Sequence, residues 1–510
     1  MKKIIYILVI GFTAFSCNNF LDIQPEHSKT SENSVVDYES AKGVLTGMYA
    51  TLNYGSGTSV SDFFGGSPML AMAAQAGLTR AVGGTTFYNM NYTSATSYVE
   101  TYWKNWHACV NSANATIIGI SGLDPRIFPG RKESDGTVIE TGEQEKARMI
   151  AEARCFRAWV NTYILWCYGH YNRDDEYGIL CREEISNFTN IYIDRKSVAE
   201  SYTHILGDLD AAIATLDDFT SPRYMSKQLA QVIKAKLLLN RGSSGDYEAA
   251  LTLVEDVLAN APAAFRMEPD MAKMYENGWD TPEVLWARYT EDNSYRAYGE
   301  GSYSQSLIQS GYNGGAVANP TIPEGVDVSL NSFWPEFATW IKADPRWDVT
   351  MGWARAISAA GIQYFCPTKL ARKGRVIMND KWTTYYFRYP ELYLMQAELR
   401  ALTGKTIAES IAPVNTMRSK RTNPVLPAHP VPATQEALME VIFREYCLEF
   451  YGENGSDWLA SVRIQKNGKP FYHVLKPDLD ASRTTDHQTW PLPNAEINTN
   501  KNIKPNPGYE

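Results

Sequence analysis

The stretch that decides the fold runs from residue 227 to residue 260 and reads KQLAQVIKAKLLLNRGSSGDYEAALTLVEDVLAN. Its apolar residues recur every three to four positions on both sides of a glycine- and serine-containing turn, which predicts two amphipathic helices. Gly242 is expected to end the first helix, and Asp246 is placed to cap the second. Another helical face precedes them, at Val198, Tyr202, Ile205, Leu209, Ile213 and Leu216.

Two helices joined by a tight turn, with the small residues Ala249 and Ala250 at their contact, resemble a tetratricopeptide-type hairpin. The same periodicity predicts further long helices over 145–168, 389–403, 406–419 and 434–451. Thr434 is a plausible N-cap for the last of these. The predicted fold class is therefore mainly α, with a tetratricopeptide-like helical hairpin scaffold, long loop-rich excursions and minor β.

Two loop-rich tracts interrupt the helical patterns, at about 53–101 and 267–383. Both contain many aromatic residues, and loops this long in a compact protein are usually functional or carry small strands of their own. The whole chain has 31 Tyr and 13 Trp, side chains that pair a flat apolar body with a polar tip. No low-complexity linker divides the chain, so residues 17–510 are predicted to form a single domain.

Composition and charge exclude some partners. The chain has 510 residues, 44% of them hydrophobic, which is enough for a large core. Its 48 Lys and Arg against 57 Asp and Glu give a formal net charge of −9. A nucleic-acid partner is therefore not expected, because that would need a basic surface.

The first 16 residues are predicted to be a lipoprotein signal peptide. Lys2 and Lys3 precede an apolar run that ends at Phe15, and Ser16 and Cys17 follow. The run is shorter than the roughly 20 residues that span a bilayer. Cys17 is then the acylated first residue of the mature chain, which the acyl chains tether to the membrane. An ordinary signal peptide that ends near a cysteine is the alternative.

Six cysteines remain, and no two of them form a Cys-x-x-Cys pair. Most lie in apolar helical patterns, where cysteine behaves as a small hydrophobe, so buried free thiols are favoured over disulfides. They are Cys109, Cys155, Cys167, Cys181, Cys366 and Cys447.

A search for catalytic motifs gives no candidate. The chain has no His-Glu-x-x-His, no Gly-x-Ser-x-Gly and no phosphate-binding loop. Acidic pairs are present, and a glycosidase needs only two carboxylates that are close in space, so that class stays open. A structural cation in the 172–176 loop also stays open, but no cofactor and no metal ligand are predicted.

Several segments together resemble the SusD/RagB family of outer-membrane nutrient-binding lipoproteins. The mature terminus, CNNFLDIQP from Cys17 to Pro25, is similar to the family's Cys-x-x-Phe-Leu-Asp-x-x-Pro opening. AEARCFRAW from Ala151 to Trp159 and RYPELYLMQAE from Arg388 to Glu398 resemble two of its helices. The segment from Trp490 to Tyr509, with its Trp-Pro-Leu-Pro and Asn-Pro-Gly-Tyr, is the most specific match.

One segment departs from the family pattern. Where the family usually has Gly-x-Arg-Trp-x-Asp, this chain has GSDWLA from Gly455 to Ala460, which we interpret as packing. The charged residues of the matching helices, such as Arg157 and Glu445, are expected to form structural ion pairs between neighbouring helices.

The resemblance implies a lipid-tethered protein of the outer membrane that faces the cell exterior. It also implies a partner, a TonB-dependent outer-membrane transporter of the SusC type, over which the lipoprotein acts as a lid. The function that follows is capture of an oligosaccharide for import, without covalent chemistry. Capture of peptides, as in RagB-type relatives, is the alternative, and a surface hydrolase is a more distant one.

The ligand site is predicted in the two aromatic tracts. Sugar rings stack on Tyr and Trp, while amide and guanidinium groups bind their hydroxyls. The candidate residues are Arg80, Tyr88, Asn89, Asn91, Tyr92, Tyr98, Trp279, Tyr295, Tyr298 and Trp334. For each of them, packing in the core is the alternative.

Overall fold

The computed structural model describes most of the chain after the first 33 residues. The described residues are 34–53, 66–78, 86–278, 280–290, 335–350, 352–355, 363–366, 369, 382–479, 481–483 and 485–509. The predicted signal peptide and Cys17 lie outside them, so the N-terminal predictions stay predictions.

Sixteen α-helices make up most of the described chain, which confirms the mainly α prediction. The first seven are α1 Tyr38–Ala50, α2 Gly66–Ala76, α3 Ser97–Ser121, α4 Gly142–Tyr168, α5 Val198–Thr215, α6 Lys227–Arg241 and α7 Asp246–Asn260. The others are α8 Met271–Asn277, α9 Pro335–Ala343, α10 Trp347–Thr350, α11 Pro390–Leu402, α12 Ile407–Ser419, α13 Gln435–Phe450, α14 Ser456–Arg463, α15 Phe471–Leu475 and α16 Asn494–Thr499.

The predicted helical hairpin is formed by α6 and α7, which pack against each other. Gly242 ends α6 in the left-handed conformation, with φ of 64°, as its position in the sequence predicts. Asp246 is not the N-cap of α7: Gly245 takes that position. The Asp246 carboxylate instead accepts the Ser243 N–H at 2.8 Å and pairs with Arg241, which closes the turn between the helices.

Four antiparallel strand pairs account for the described β structure. They are β1 Arg131–Lys132 with β2 Val138–Glu140, β3 Val284–Thr290 with β6 Trp382–Arg388, β4 Gly352–Arg355 with β5 Gln363–Cys366, and β7 Gln465–Lys466 with β8 Lys469–Pro470. Only the β3–β6 pair joins segments that are far apart in sequence. The second aromatic tract, predicted as loop-rich, thus contains α8–α10 and β3–β5 as well.

Helix α2 was not predicted, because its sequence GSPMLAMAAQA lies in the tract expected to be loop. Met69, Leu70, Met72 and Ala73 are all fully buried. A helix covered on all sides has no polar face, so the periodic signal that identifies a surface helix is absent.

The core is organised around α4, which packs against α3 on one side and α5 on the other. Trp159 is fully buried on α4, and its ring lies edge-on to Trp286 of β3 at 5.5 Å between centroids. Four cysteine side chains are also buried, on α3, α4 and α13. All five described cysteine side chains are free thiols, as predicted: Cys109, Cys155, Cys167, Cys181 and Cys447.

A buried charge cluster joins β6, α13, the residue before β3 and the residues after α12. Arg388 donates to Glu283 at 2.6 Å and to Glu449 at 2.9 Å, and Arg421 donates to the same two carboxylates. Each of these carboxylates thus meets two guanidinium groups, which offsets part of the cost of burying them. The expected structural ion pairs are present, with partners that the sequence did not identify.

Arg157 forms the corresponding pair between α4 and α5. Its guanidinium donates to both oxygens of Asp208, at 2.7 and 2.8 Å, and to the Asn114 side chain of α3 at 2.8 Å. Bidentate geometry of this kind is among the stronger side-chain interactions. One arginine therefore ties together three helices.

Among the described helices, none combines the length and the apolar character needed to cross a membrane.

Candidate functional site

Five of the ten predicted ligand-binding residues lie in one described segment, 86–98, which belongs to the first aromatic tract and enters α3. They are Tyr88, Asn89, Asn91, Tyr92 and Tyr98. The other five lie outside the described residues: Arg80, Trp279, Tyr295, Tyr298 and Trp334.

Segment 86–98 is a compact series of turns. The Asn91 N–H donates to the Thr86 carbonyl at 3.0 Å, and the Met90 N–H donates to the Phe87 carbonyl at 3.2 Å. Met90 takes a positive φ of 53°, which reverses the chain at that point. As a result Asn89 and Asn91 are exposed on either side of buried Met90.

Phe87 anchors the segment to the core. Its ring is fully buried and lies 5.3 Å from Trp490 and 5.5 Å from Tyr92, measured between centroids. Trp490 in turn donates through Nε1 to the Gln75 side chain of α2 at 2.7 Å. The exposed residues are therefore carried on a packed aromatic base.

Tyr92 belongs to that base and not to the surface. It is buried, and its hydroxyl donates to the His487 carbonyl and accepts from Gln75 Nε2 at 2.9 Å. Burial raises its pKa well above the ordinary value. The structure thus corrects the ligand-binding prediction for Tyr92, because a ring enclosed by the core has no free face for a sugar.

The other four predicted ligand-binding residues of the segment are accessible to solvent. Tyr98 is 42% exposed, and its ring lies against Phe87 and Tyr102. Tyr88 is half-buried, and Asn89 and Asn91 are exposed. Two aromatic rings and two amides near one another are the groups that bind a sugar ring, so contact of these four with ligand stays a prediction.

A buried lysine that the sequence gave no reason to select lies beneath Tyr88. Lys476, directly after α15, donates through Nζ to the Tyr88 carbonyl at 3.1 Å. The same ammonium lies 5.7 Å from the Tyr88 ring and 5.5 Å from the Tyr472 ring. Burial lowers the pKa of Lys476 to about 7. A lone Lys after an apolar run carries no sequence signal for such a position.

The residues that follow Trp490 close the base from the other side. The Asn506 amide donates to the Trp490 carbonyl at 2.8 Å and to the Tyr168 carbonyl at 3.0 Å, at the end of α4. The Asn494 N–H donates to the Ser94 carbonyl at 2.9 Å, inside segment 86–98. The most specific match to the family pattern is therefore a structural support for the candidate site.

Described aromatic residues of the second tract are partly core. Trp286 on β3 is buried and packs on Trp159 and Tyr386. Trp340 on α9 is half-buried, with the Arg444 guanidinium 4.7 Å from its ring centroid. The aromatic surplus of this tract thus serves packing to a larger extent than its loop-rich sequence suggests.

No group of three or more His, Cys, Asp or Glu side chains within the described ranges is arranged to hold a metal ion. In the 172–176 loop, the Asp175 carboxylate lies 2.6 Å from His170 Nδ1 and accepts the Tyr177 N–H at 2.9 Å. The Asp175 carboxylate is thus engaged by neighbouring groups of the protein. The predictions of no cofactor and no catalytic residue stay predictions.

Residues 362–509 match the model of the SusD family. No curated protein matches the chain significantly in sequence. The matched residues include α11, α13 and the segment from Trp490 to Tyr509, where the resemblance was seen.

Solved structures match over nearly the whole chain. A SusD superfamily protein from Bacteroides thetaiotaomicron is 18% identical, with 92% of this chain and 100% of that chain covered and a TM-score of 0.66. A laminarin-binding SusD-like protein is also 18% identical, with 93% and 100% covered and a TM-score of 0.66. A SusD-like carbohydrate-binding protein from Bacteroides vulgatus is 16% identical, with 92% and 97% covered and a TM-score of 0.67. At these identities the likeness shows the fold.

Proposed function

Because the chain is SusD-like in its fold and in the sequence of residues 362–509, we propose that it binds an oligosaccharide at the cell surface without transforming it. The protein then delivers the glycan to a partner TonB-dependent outer-membrane transporter of the SusC type. Residues 17–510 act as one domain, tethered to the outer membrane by acylated Cys17 and facing the cell exterior. The SusD family is associated with the cell surface and the outer membrane, which supports this location.

One observation carries the proposal: segment 86–98 presents two accessible tyrosines and two exposed asparagines on a packed base. The base holds the exposed groups in place before a ligand arrives, so less conformational entropy is lost on binding. The apolar faces of Tyr88 and Tyr98 suit the C–H faces of a sugar, and the two amides suit its hydroxyls. The laminarin-binding neighbour is a relative in fold whose ligand is of this class.

Isothermal titration against a panel of glycans, laminarin among them, tests the proposal on the full mature chain with Cys17→Ser. Tyr98→Ala is expected to weaken binding about fivefold, because an aromatic contact contributes about 1 kcal/mol. Tyr192→Ala is the matched control, since Tyr192 is exposed to a similar degree, 50%, but lies outside the segment. Equal affinity of the two variants and the parent chain would count against the site.

Further measurements on the same protein, with peptides added to the panel, separate the rival functions. Binding of peptides and of no glycan would favour the peptide-capturing alternative. Shortened glycan chains after incubation would show a hydrolase.

Incorporation of labelled fatty acid into the parent chain, and not into Cys17→Ser, tests the anchor. Co-purification of a transporter from native membranes tests the partner.

A further inference from the structure

A cavity of about 380 Å³ lies far from segment 86–98, between α1, the first turns of α4 and the loop from Leu216 to Ser226. Its volume falls in the range of small-molecule sites. Glu145 and Glu152 mark its place on α4, whereas segment 86–98 rests near Tyr168 at the other end of that helix. At 1.5 Å per residue, the two regions are roughly 25 Å apart along α4.

Three tyrosines line this cavity. Tyr38 donates to Glu145 at 2.7 Å, and Tyr49 donates to Glu152 at 2.7 Å while accepting the Met225 N–H at 3.1 Å. Tyr224 is 55% exposed, with its ring edge-on to Tyr49 at 5.9 Å between centroids. Hydrogen bonds thus fix the two inner hydroxyls, and the outer ring is accessible to a ligand.

The polar wall of the cavity is held in place by its own ion pairs. The Arg148 guanidinium lies within 4.0 Å of four carboxylates, which belong to Glu140, Glu145, Glu152 and Asp217. Arg131 is the other guanidinium at this wall and pairs with Glu140 and Asp217, each at 2.6 Å. The charged groups that line the cavity are four carboxylates and three cations, which leaves an excess of one negative charge: Glu145, Glu152, Asp217 and Asp218 against Lys42, Arg131 and Arg148.

That excess selects the charge of a ligand. Ionised oxygens that are already oriented accept hydrogen bonds from hydroxyl or ammonium groups without further ordering. A ligand carboxylate or sulfate would meet like charges at close range and is disfavoured. Lys42 is the third cation of the lining, and it pairs with Glu39 at 2.7 Å, outside the lining.

The cavity also has room to extend. Thr220 and Ser221 line both this cavity and a neighbouring groove of about 700 Å³. The groove is polar, and its charged lining residues are Arg223, Arg266 and Asp280. A ligand longer than one ring can therefore continue from the first space into the second.

We propose that the cavity beside Tyr224 is a second carbohydrate site, which accepts neutral and amino-bearing sugar units and rejects uronates and sulfated sugars. Flat apolar rings, fixed acceptors and fixed donors around one small space are what a sugar ring requires. This inference rests on the proposed function only in taking the ligand to be a saccharide. The site itself is separate from segment 86–98.

Saturation-transfer NMR and isothermal titration on the full mature chain with Cys17→Ser test the inference. The probes are the methyl glycosides of glucose, galactose and mannose, then glucosamine, then glucuronate. At least one neutral glycoside and glucosamine are expected to bind saturably below about 100 mM, with glucuronate about tenfold weaker. Tyr224→Ala should weaken binding about fivefold. Asp217→Asn removes one negative charge and should reduce the difference in affinity between the neutral glycosides and glucuronate.

Tyr192→Ala, at a tyrosine that is 50% exposed and lies outside both the cavity and segment 86–98, is the matched control and should leave this binding unchanged. Absence of saturable binding by any probe overturns the inference, and so does equal affinity for glucuronate. Sensitivity to Tyr98→Ala without sensitivity to Tyr224→Ala also overturns it and supports the site of the proposed function. Far-UV circular dichroism confirms that each variant is folded.

Discussion

The ammonium of Lys236 lies 2.7 Å from the carboxylate of Glu391, and the two side chains are only 3% and 1% exposed. The pair joins α6 of the helical hairpin to α11, the helix whose RYPELYLMQAE sequence resembles the family pattern. Glu391 also accepts from the Asn454 amide at 3.0 Å and from the Ser456 hydroxyl. Burial lowers the pKa of Lys236, whereas the Glu391 carboxylate stabilises the charged ammonium.

Glu391→Gln is expected to lower the free energy of unfolding by about 3 kcal/mol, because it leaves a buried ammonium without a counter-charge. Urea denaturation measures the change. Glu276→Gln is the control, since Glu276 is exposed on α8. The double variant Lys236→Met with Glu391→Gln should recover part of the loss, and a double variant less stable than either single one would contradict the assigned pairing.

Asp457 gives a pH dependence of known sign. Its carboxylate is fully buried and accepts the N–H groups of Gly452 and Trp458, and burial raises its pKa to about 6. The unfolded chain has a pKa of about 3.9, so the folded state holds this proton more tightly. The free energy of unfolding should therefore fall by up to about 3 kcal/mol as pH rises from about 4 to 6. Asp457→Asn should remove that slope, measured by urea denaturation at several pH values.

Lys476 has the opposite sign. Its folded-state pKa of about 7 lies below the unfolded value of about 10.4, so the unfolded state binds more protons between these values. The free energy of unfolding should rise with pH over this window, by up to about 5 kcal/mol. Lys476→Met should lose this dependence. Lys469→Met, at an exposed lysine nearby in sequence, should keep it, and an equal slope in both variants would refute the assignment.

Tyr92→Phe is expected to cost about 1 to 3 kcal/mol of stability, because it leaves the buried His487 carbonyl without its hydroxyl donor and removes one of the two acceptors of Gln75 Nε2. Tyr98→Phe removes a hydroxyl from an exposed ring and should change stability by less than about 0.5 kcal/mol. Thermal unfolding of both variants distinguishes them. Similar melting temperatures of the two variants would contradict the assignment of Tyr92 as an anchor of segment 86–98.

Sequence periodicity predicted the long amphipathic helices closely. The predicted spans 389–403, 406–419 and 434–451 became Pro390–Leu402, Ile407–Ser419 and Gln435–Phe450. Thr434 caps the last of them through a hydrogen bond from the Ala437 N–H at 3.1 Å, as expected. Such boundaries depend on nearby residues, which a sequence displays directly.

Contacts between distant residues were beyond sequence reasoning. Arg388 pairs with Glu283, 105 positions away, and Tyr92 bonds to His487, 395 positions away. Nothing local distinguishes Tyr92 from exposed Tyr98, since both lie in the same aromatic stretch. For the same reason, Tyr38, Tyr49 and Tyr224 gave no sign that they line one cavity.

Segment 86–98 separates attachment from display. Phe87 and Tyr92 hold it to the core, while Asn89 and Asn91 are exposed to solvent. Two neighbouring positions can thus be exchanged for other polar or aromatic side chains without disturbing the aromatic base. The protein therefore offers a fixed frame for a small library of surface variants, in which preference for a nutrient is altered independently of folding.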